Sequence, residues 1–173
     1  DEIIQGKLDC WFITDVIQGG AGTSTNMNAN EVVANRAAQL AGKALGVYDY
    51  IHPNDHVNFG QSTNDVFPTA GKLTALFLVE DLLEELMLLQ EALLDKSIEF
   101  NDVIKLGRTH LQDAVPIRMG QEFHAFATAI VRDIRRIKVA FSNLKSVNMG
   151  ATAVGTGINT DERYKRICVK HLC

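Results

Sequence analysis

Apolar residues recur along the chain at helical spacing in three long stretches, separated by segments rich in Gly, Ser, Thr and Asn. The first stretch predicts a helix from about Asn28 to Leu45, stopped by Gly46, with Asn28-Ala29-Asn30-Glu31 read as a variant capping box. The second is much longer. From about Asn64 to Phe100, Leu76, Val79, Leu83, Leu86 and Leu93 keep a coiled-coil-like spacing, and Leu73, Phe77, Leu82, Leu89, Leu94 and Ile98 widen the stripe. At 1.5 Å per residue this element spans roughly 55 Å. A stripe that wide calls for partners on several sides, expected to be other chains or neighbouring parts of a longer one. Pro68 and Gly71 fall near its start, where they are best tolerated. The third helix is expected over Met119–Val147, with Phe123, Phe126, Ile130, Ile134, Ile137 and Phe141 on its apolar face and Arg132, Arg135, Arg136 and Lys138 on a polar one. Val103–Pro116 reads as irregular, and Asp161–Cys173 as the opening of another helix.

Four donor-rich stretches, Gln18–Asn30, Asn58–Thr69, Gly107–Gln121 and Asn148–Thr160, flank these helices. Each has an ordinary explanation. Ser62-Thr63-Asn64-Asp65 supplies preferred cap residues directly before the long helix, yet a cap needs one of them and four are present. The alternative is an anion site, because a helix N-terminus offers free N–H groups and the positive end of a dipole. Gly19–Asn26 is glycine-rich, but no Gly-Lys-Ser/Thr follows and no strand leads into it. It is therefore neither a phosphate-binding P-loop nor a dinucleotide turn. Thr109-His110 lies among the donors Arg108 and Gln112, and histidine is the side chain suited to change charge near neutral pH. Gly150–Thr160 is again small, neutral and donor-rich. Together the four suggest one small-anion pocket on a mainly α scaffold. His52-Pro53-Asn54-Asp55 reads either as a Pro-led turn capped by Asn54 or Asp55, or as a second anion site in which His52 carries charge and Asp55 opposes binding.

Composition narrows the classes. The 173 residues carry a net charge of −4, which disfavours a nucleic-acid partner. The most apolar run, Leu73–Val79, is too short to span a membrane. Cys10, Cys168 and Cys173 form no disulfide framework and fit a reducing cytoplasm, and no Cys/His cluster has metal-ligand spacing. The sequence calls for no cofactor or metal and is silent on activation by a divalent cation. No linker-like boundary is visible. The chain opens on Asp1 rather than Met and is expected to be a piece of a longer one.

Four motifs in order are then specific enough to identify a family. Gly22-Thr23-Ser24-Thr25-Asn26-Met27-Asn28-Ala29-Asn30-Glu31-Val32 resembles the first substrate-binding segment of the aspartase/fumarase family. His52-Pro53-Asn54-Asp55 through Gln61-Ser62-Thr63-Asn64-Asp65-Val66-Phe67-Pro68-Thr69 resembles the second, and Gly107-Arg108-Thr109-His110-Leu111-Gln112-Asp113-Ala114-Val115-Pro116 the third. Gly155-Thr156-Gly157-Ile158-Asn159-Thr160 continues the match, so that it covers most of the chain. Gly22-Thr23-Ser24, Gly60-Gln61-Ser62-Thr63-Asn64 and Met149-Gly150-Ala151-Thr152-Ala153 look more like aspartases than fumarases, which tend to carry Gln after the first Thr, Ser-Gln-Ser-Ser-Asn and Gly-Gly-Thr-Ala.

The resemblance implies a long-helix bundle in a homotetramer, with active sites shared between three subunits. Residues 1–60 would close an N-terminal domain and 61–173 would open the central helical one. It also implies reversible anti elimination of ammonia from L-aspartate to give fumarate. Thr23, Ser62 and Thr63 would hold the β-carboxylate, Asn64 and His110 would lie near the amino group, and Thr109 near the α-carboxylate, with Thr109 and His110 the catalytic candidates. His52, Asn54 and Asp55 match a loop that in fumarases binds a dicarboxylate away from the catalytic centre. One family element has no counterpart here: the Gly-Ser-Ser-x-Met-Pro loop with the serine base and its accompanying Lys and Asn. The competing readings are a fumarate hydratase using the same donors, and a non-catalytic helical oligomer like the related lens proteins.

Overall fold

The computed structural model describes residues 1–17 and 20–172; Gln18, Gly19 and Cys173, which the sequence placed in the first glycine-rich stretch and the closing helix, lie outside them. The main elements are helices α1 (Thr23–Leu40) and α2 (Thr63–Glu99), strands β1 (Ile104–Thr109) and β2 (Gln112–Arg118), and helices α3 (Met119–Leu144) and α4 (Tyr164–Leu172). The mainly α expectation holds, and α2 begins and ends within one residue of the predicted bounds. None of the helices among the described residues is long and apolar enough to cross a membrane.

The chain forms two compact units, one from residues 1–72 and 146–173 and the other from 73–145. In the first, α1 starts and stops five residues earlier than predicted. Gly22 (φ 87°) supplies the left-handed N-cap. At the other end Gly42 (φ 68°) turns the chain. Lys43 N–H donates to the Ala38 carbonyl (2.9 Å) and Gly42 N–H to the Gln39 carbonyl (3.0 Å), the paired bonds of a Schellman motif. Gly42, not Gly46, is therefore the stop. Asn28 is not a cap but a clasp inside the helix. Its Oδ1 accepts from Ile13 N–H (2.9 Å) and its Nδ2 donates to the Trp11 carbonyl (2.9 Å).

Pro68 sits inside α2 and leaves the Asn64 carbonyl, four residues earlier, without its helical donor. Asn148 Nδ2 takes that place at 3.3 Å. Ala34 and Ala38 on α1 are fully buried, but much of this unit's interior is polar: Asn26, Asn30, Asp65, Thr69 and Thr152 are all at least nine-tenths buried. Buried polar groups at this density are uncommon unless they are hydrogen-bonded or functional.

In the second unit the heptad spacing holds on both long helices. On α2 the covered positions include Leu76, Val79, Leu83, Leu86 and Leu93, whereas Phe77, Leu78 and Ile98 stay exposed. On α3 they are Phe123, Ala127, Ile130, Ile134, Ile137 and Phe141. Phe126, expected on the apolar face, is 53% exposed, because the alternating steps of four and three put Ala127 on the seam instead. The start of α3 lies against the end of α2: a Cβ on Gly120 would collide with the Ser97 carbonyl, and Gly120 N–H donates to the Phe100 carbonyl (3.0 Å).

The segment read as irregular is an antiparallel hairpin. Thr109 pairs with Gln112, and a bulge at Gly107 sets Ala114 and Val115 opposite one residue. Gly107 is required there, since a Cβ would lie 2.8 Å from the Val115 carbonyl. The two-residue turn has positive φ at both positions, His110 (50°) and Leu111 (61°), which matches the right-handed twist of the strands. Neither residue is glycine, so the turn-composition signal was missing from the sequence. A bulky side chain in this conformation is an outlier that stores strain. Leu111 is 97% exposed and its side chain loses no burial on removal. Leu111→Gly is expected to stabilise the hairpin by about 0.5–1 kcal/mol, the left-handed penalty less the chain entropy of glycine, read as a raised denaturation midpoint.

Candidate active site

The N-terminus of α2 is built by a reciprocal cap. Asn64 N–H donates to Ser62 Oγ (3.2 Å), and Ser62 N–H donates to Asp65 Oδ2 (3.2 Å). This Ser-x-x-Asp arrangement satisfies helix-end donors from both sides. Asp65 is fully buried. Its other oxygen, Oδ1, accepts from Thr152 N–H at 2.8 Å, across 87 positions of sequence. Asn64 Nδ2 donates to the Ala153 carbonyl (2.9 Å) in the same turn. Thr152 has φ 61°, unusual for a β-branched residue. Gly150 makes room for α4, since a Cβ there would stand 2.7 Å from Lys165 Cβ. The phenol of Tyr164 on α4 is pushed up to about 12, by burial first, then by Cys168 and by the Asp65 carboxylate.

The start of α1 is held against the start of α2. Asn26 Nδ2 donates to Thr63 Oγ1 (3.0 Å), which leaves the Thr63 hydroxyl proton for another acceptor. Gly22 is buried with the Phe67 ring directly over the place a Cβ would occupy. Thr23, one helical turn before Asn26, opens α1 and is exposed.

These contacts border a cleft of about 760 Å³, lined among others by Asn54, Asp55, Ser62, Thr63, Thr152 and Asn159. Three of the four donor-rich stretches thus meet in one unit. Thr109 and His110 belong to the other unit, where they form the end of β1 and the hairpin turn.

The residues 52–55 are placed differently from either cap assignment. His52, rather than Asn54 or Asp55, caps a single π turn over Pro53–Val57. Its Nδ1 accepts from Asn54 N–H and Asp55 N–H, both at 3.1 Å, while its own N–H donates to His56 Nδ1 (2.8 Å). Asp55 Oδ2 lies 3.5 Å from the same Nδ1. Asn54 and Asp55 line the cleft that Ser62 and Thr63 share.

Sequence reasoning placed Asp65 only among the cap residues and gave no separate role to Thr152, Asn26 or Asn148. The Ser62-x-x-Asp65 spacing is a legible capping signal and could have singled out Asp65. The other three act through contacts with distant segments, which local pattern does not carry.

Comparison with known proteins follows the same lines. A family model described as Lyase matches residues 1–173. An aspartate ammonia-lyase from Bacillus sp is 57% identical over 99% of this chain and 37% of that relative. A fumarate lyase:delta crystallin from Brucella melitensis, bound to cobalt, superposes with a TM-score of 0.87 at 48% identity over 99% of this chain and 38% of that one. A class II fumarase from Schistosoma mansoni gives a TM-score of 0.85 at 39% identity, over 99% of this chain and 36% of that one. The chain spans little more than a third of the length of these proteins. The heptad helices, the capped Ser62-Thr63-Asn64 start of α2 and the match along the whole chain have one common explanation: this chain belongs to the lyase family that includes the aspartate ammonia-lyases.

Proposed function

We propose that the full-length protein carrying this chain is an aspartate ammonia-lyase, releasing ammonia from L-aspartate to form fumarate in a reversible anti elimination. The observation that carries the reading is the cleft at the N-terminal end of α2, where Ser62 and Thr63 present neutral hydroxyl donors beside Asn54, Thr152 and Asn159. A helix N-terminus and uncharged donors suit a small dicarboxylate.

The reaction explains why donors rather than fixed cations would line the site. Removal of the Cβ proton sends its electron pair into the β-carboxylate, giving an aci-carboxylate dianion. Collapse of that dianion forms the Cα–Cβ double bond and breaks the Cα–N bond, so that ammonia leaves. The step to assist is the growth of charge on one carboxylate, and preorganised hydrogen-bond donors stabilise growing charge most effectively. Thr23, Ser62 and Thr63 take that role here. Asn64 Nδ2 gives one N–H to the Ala153 carbonyl, which fixes the amide plane, and its Oδ1 accepts from the substrate ammonium. Thr109 serves the α-carboxylate and His110 the amino group, in sites that homotetramer assembly would complete from three subunits. The enzyme is cytoplasmic in this reading, consistent with the free thiols Cys10 and Cys168.

A separate dicarboxylate site at His52, Asn54 and Asp55 has less support. The His52 Nδ1 lone pair is already used by two backbone donors, and Asp55 brings a negative charge. The greater similarity to the aspartate ammonia-lyase than to the class II fumarase favours ammonia over water as the leaving group.

The test is an assay of the full-length protein on L-aspartate and on L-malate. Fumarate is expected from L-aspartate, with turnover of L-malate lower by orders of magnitude. Equal or preferential use of L-malate would make the protein a hydratase, and no turnover of either would favour the structural reading. The 173-residue chain alone, which holds donors without a Gly-Ser-Ser-x-Met-Pro segment, is expected to form no fumarate.

A further inference from the structure

We infer that Asp65 is the positioning residue of the cleft, setting the Ser62–Thr63 donors against the Thr152–Ala153 turn. The inference rests on the proposed lyase reading for its kinetic consequences, but its structural content stands apart from it. Asp65 is fully buried, and its two oxygens divide between two segments: Oδ2 holds Ser62 N–H (3.2 Å) and Oδ1 holds Thr152 N–H (2.8 Å). Both partners line the cleft. An ordinary capping box would need only the first bond, from an exposed carboxylate. The second bond requires burying the carboxylate, which is unfavourable unless something is gained. What it secures is Thr152, a β-branched residue in a left-handed backbone conformation (φ 61°) that strands and helices do not supply.

The geometry is consistent on both sides of the tie. The positive end of α2 stabilises the anionic carboxylate in the first turn. Asn64 Nδ2 adds a second bond to the same turn at the Ala153 carbonyl (2.9 Å), and Asn148 Nδ2 a third to the Asn64 carbonyl that Pro68 leaves free (3.3 Å). Asp65 alone among these bonds two backbone N–H groups, and asparagine in its place can accept only one of them. Asp65 does not reach the cleft itself, so its effect on substrate is indirect.

The experiment uses the full-length protein with Asp65→Asn, Asp65→Glu, and Asp65→Asn combined with Thr152→Gly. Asp65→Asn is expected to lower kcat for L-aspartate roughly tenfold to a hundredfold, the scale of a small misplacement of catalytic groups. KM should change less than about threefold, because the donors act chiefly on charge that develops in the transition state. Amide hydrogen exchange at Ser62 and Thr152 should be slow in the wild type and about tenfold faster or more in Asp65→Asn at whichever of the two the amide oxygen no longer holds. Adding Thr152→Gly should recover part of kcat, since glycine adopts the left-handed conformation unaided. A role in stability alone would give neither the split between kcat and KM nor that recovery.

A kcat within twofold of wild type overturns the inference, as does a fall in kcat with unchanged exchange at both Ser62 and Thr152. If Asp65→Asn does not fold, Asp65→Glu decides. It keeps charge and both acceptors but lengthens the tie by one methylene, and a folded Asp65→Glu enzyme with wild-type kcat overturns the inference. If the wild type itself does not turn over L-aspartate, the lyase reading fails instead. The exchange measurement then decides alone: faster exchange at Ser62 or Thr152 in Asp65→Asn supports the tie, and equal exchange at both removes it.

Discussion

In the full-length protein, His110→Asn is expected to lower turnover of L-aspartate by ~10²-fold or more, the usual loss when a group acting on proton or charge transfer is removed. Asparagine is chosen because the position has φ 50° in a two-residue hairpin turn, where asparagine is better accommodated than most residues. The turn is therefore preserved or improved by the substitution. His110 is exposed and its side chain makes no hydrogen bond among the described residues, so unfolding stability should move by no more than about 0.5 kcal/mol. Loss of turnover with unchanged stability would assign His110 to chemistry. Wild-type turnover would leave it a turn residue only. The strain at Leu111 strengthens the expectation, because a leucine held at φ 61° and 97% exposed is not explained by packing within this chain.

Gly22→Ala is expected to be the most destabilising single-methyl change in the first unit, costing about 2–5 kcal/mol. Two penalties add at this position. The backbone is left-handed at φ 87°, and the new methyl group would be driven into the Phe67 ring on α2. A mutant cycle separates them: in a Phe67→Ala background the steric part disappears and the backbone part of about 1–2 kcal/mol remains. Thermal unfolding of the four proteins reads both parts. If Gly22→Ala costs less than about 1 kcal/mol, the close approach of α1 to α2 is softer than the structure indicates. In the protein that folds, turnover should fall as well, since the same contact holds the start of α1, where Thr23 lies, against α2 next to the Asn26–Thr63 bond.

How much of this was legible in the sequence differs from element to element. The boundaries of α2 came through almost unchanged, because an apolar heptad from Leu76 to Leu93 and the cap residues at Ser62–Asp65 frame one long helix that Pro68, near its start, does not break. The face of α3 was right except at Phe126, where size suggested burial and periodicity decided against it. The limits of α1 were displaced because Gly42 and Gly46 are both plausible stops, and only the bonds to Ala38 and Gln39 select Gly42. The hairpin escaped entirely. Its turn, His110-Leu111, has neither the glycine nor the asparagine that normally advertises such a turn, and the strain is accepted locally.

The candidate site divides in the same way. Ser62, Thr63 and Asn64 were visible as an excess of donors at a helix start, and resemblance along the chain assigned them to substrate. That Asp65 is buried and shared between Ser62 and Thr152 was not visible, although its cap spacing was.

By itself, then, the sequence determined the helical class, the long heptad elements and the family, all of which depend on residues near one another or on ordered motifs. Only the tertiary structure decided which donors share a cleft, which carboxylate ties them together and which carbonyl Asn148 rescues from Pro68. Those bonds join positions 84 and 87 residues apart. A hydrogen bond of that separation leaves no periodicity in the chain, because its geometry is set by how the intervening helices pack and not by the residues beside it.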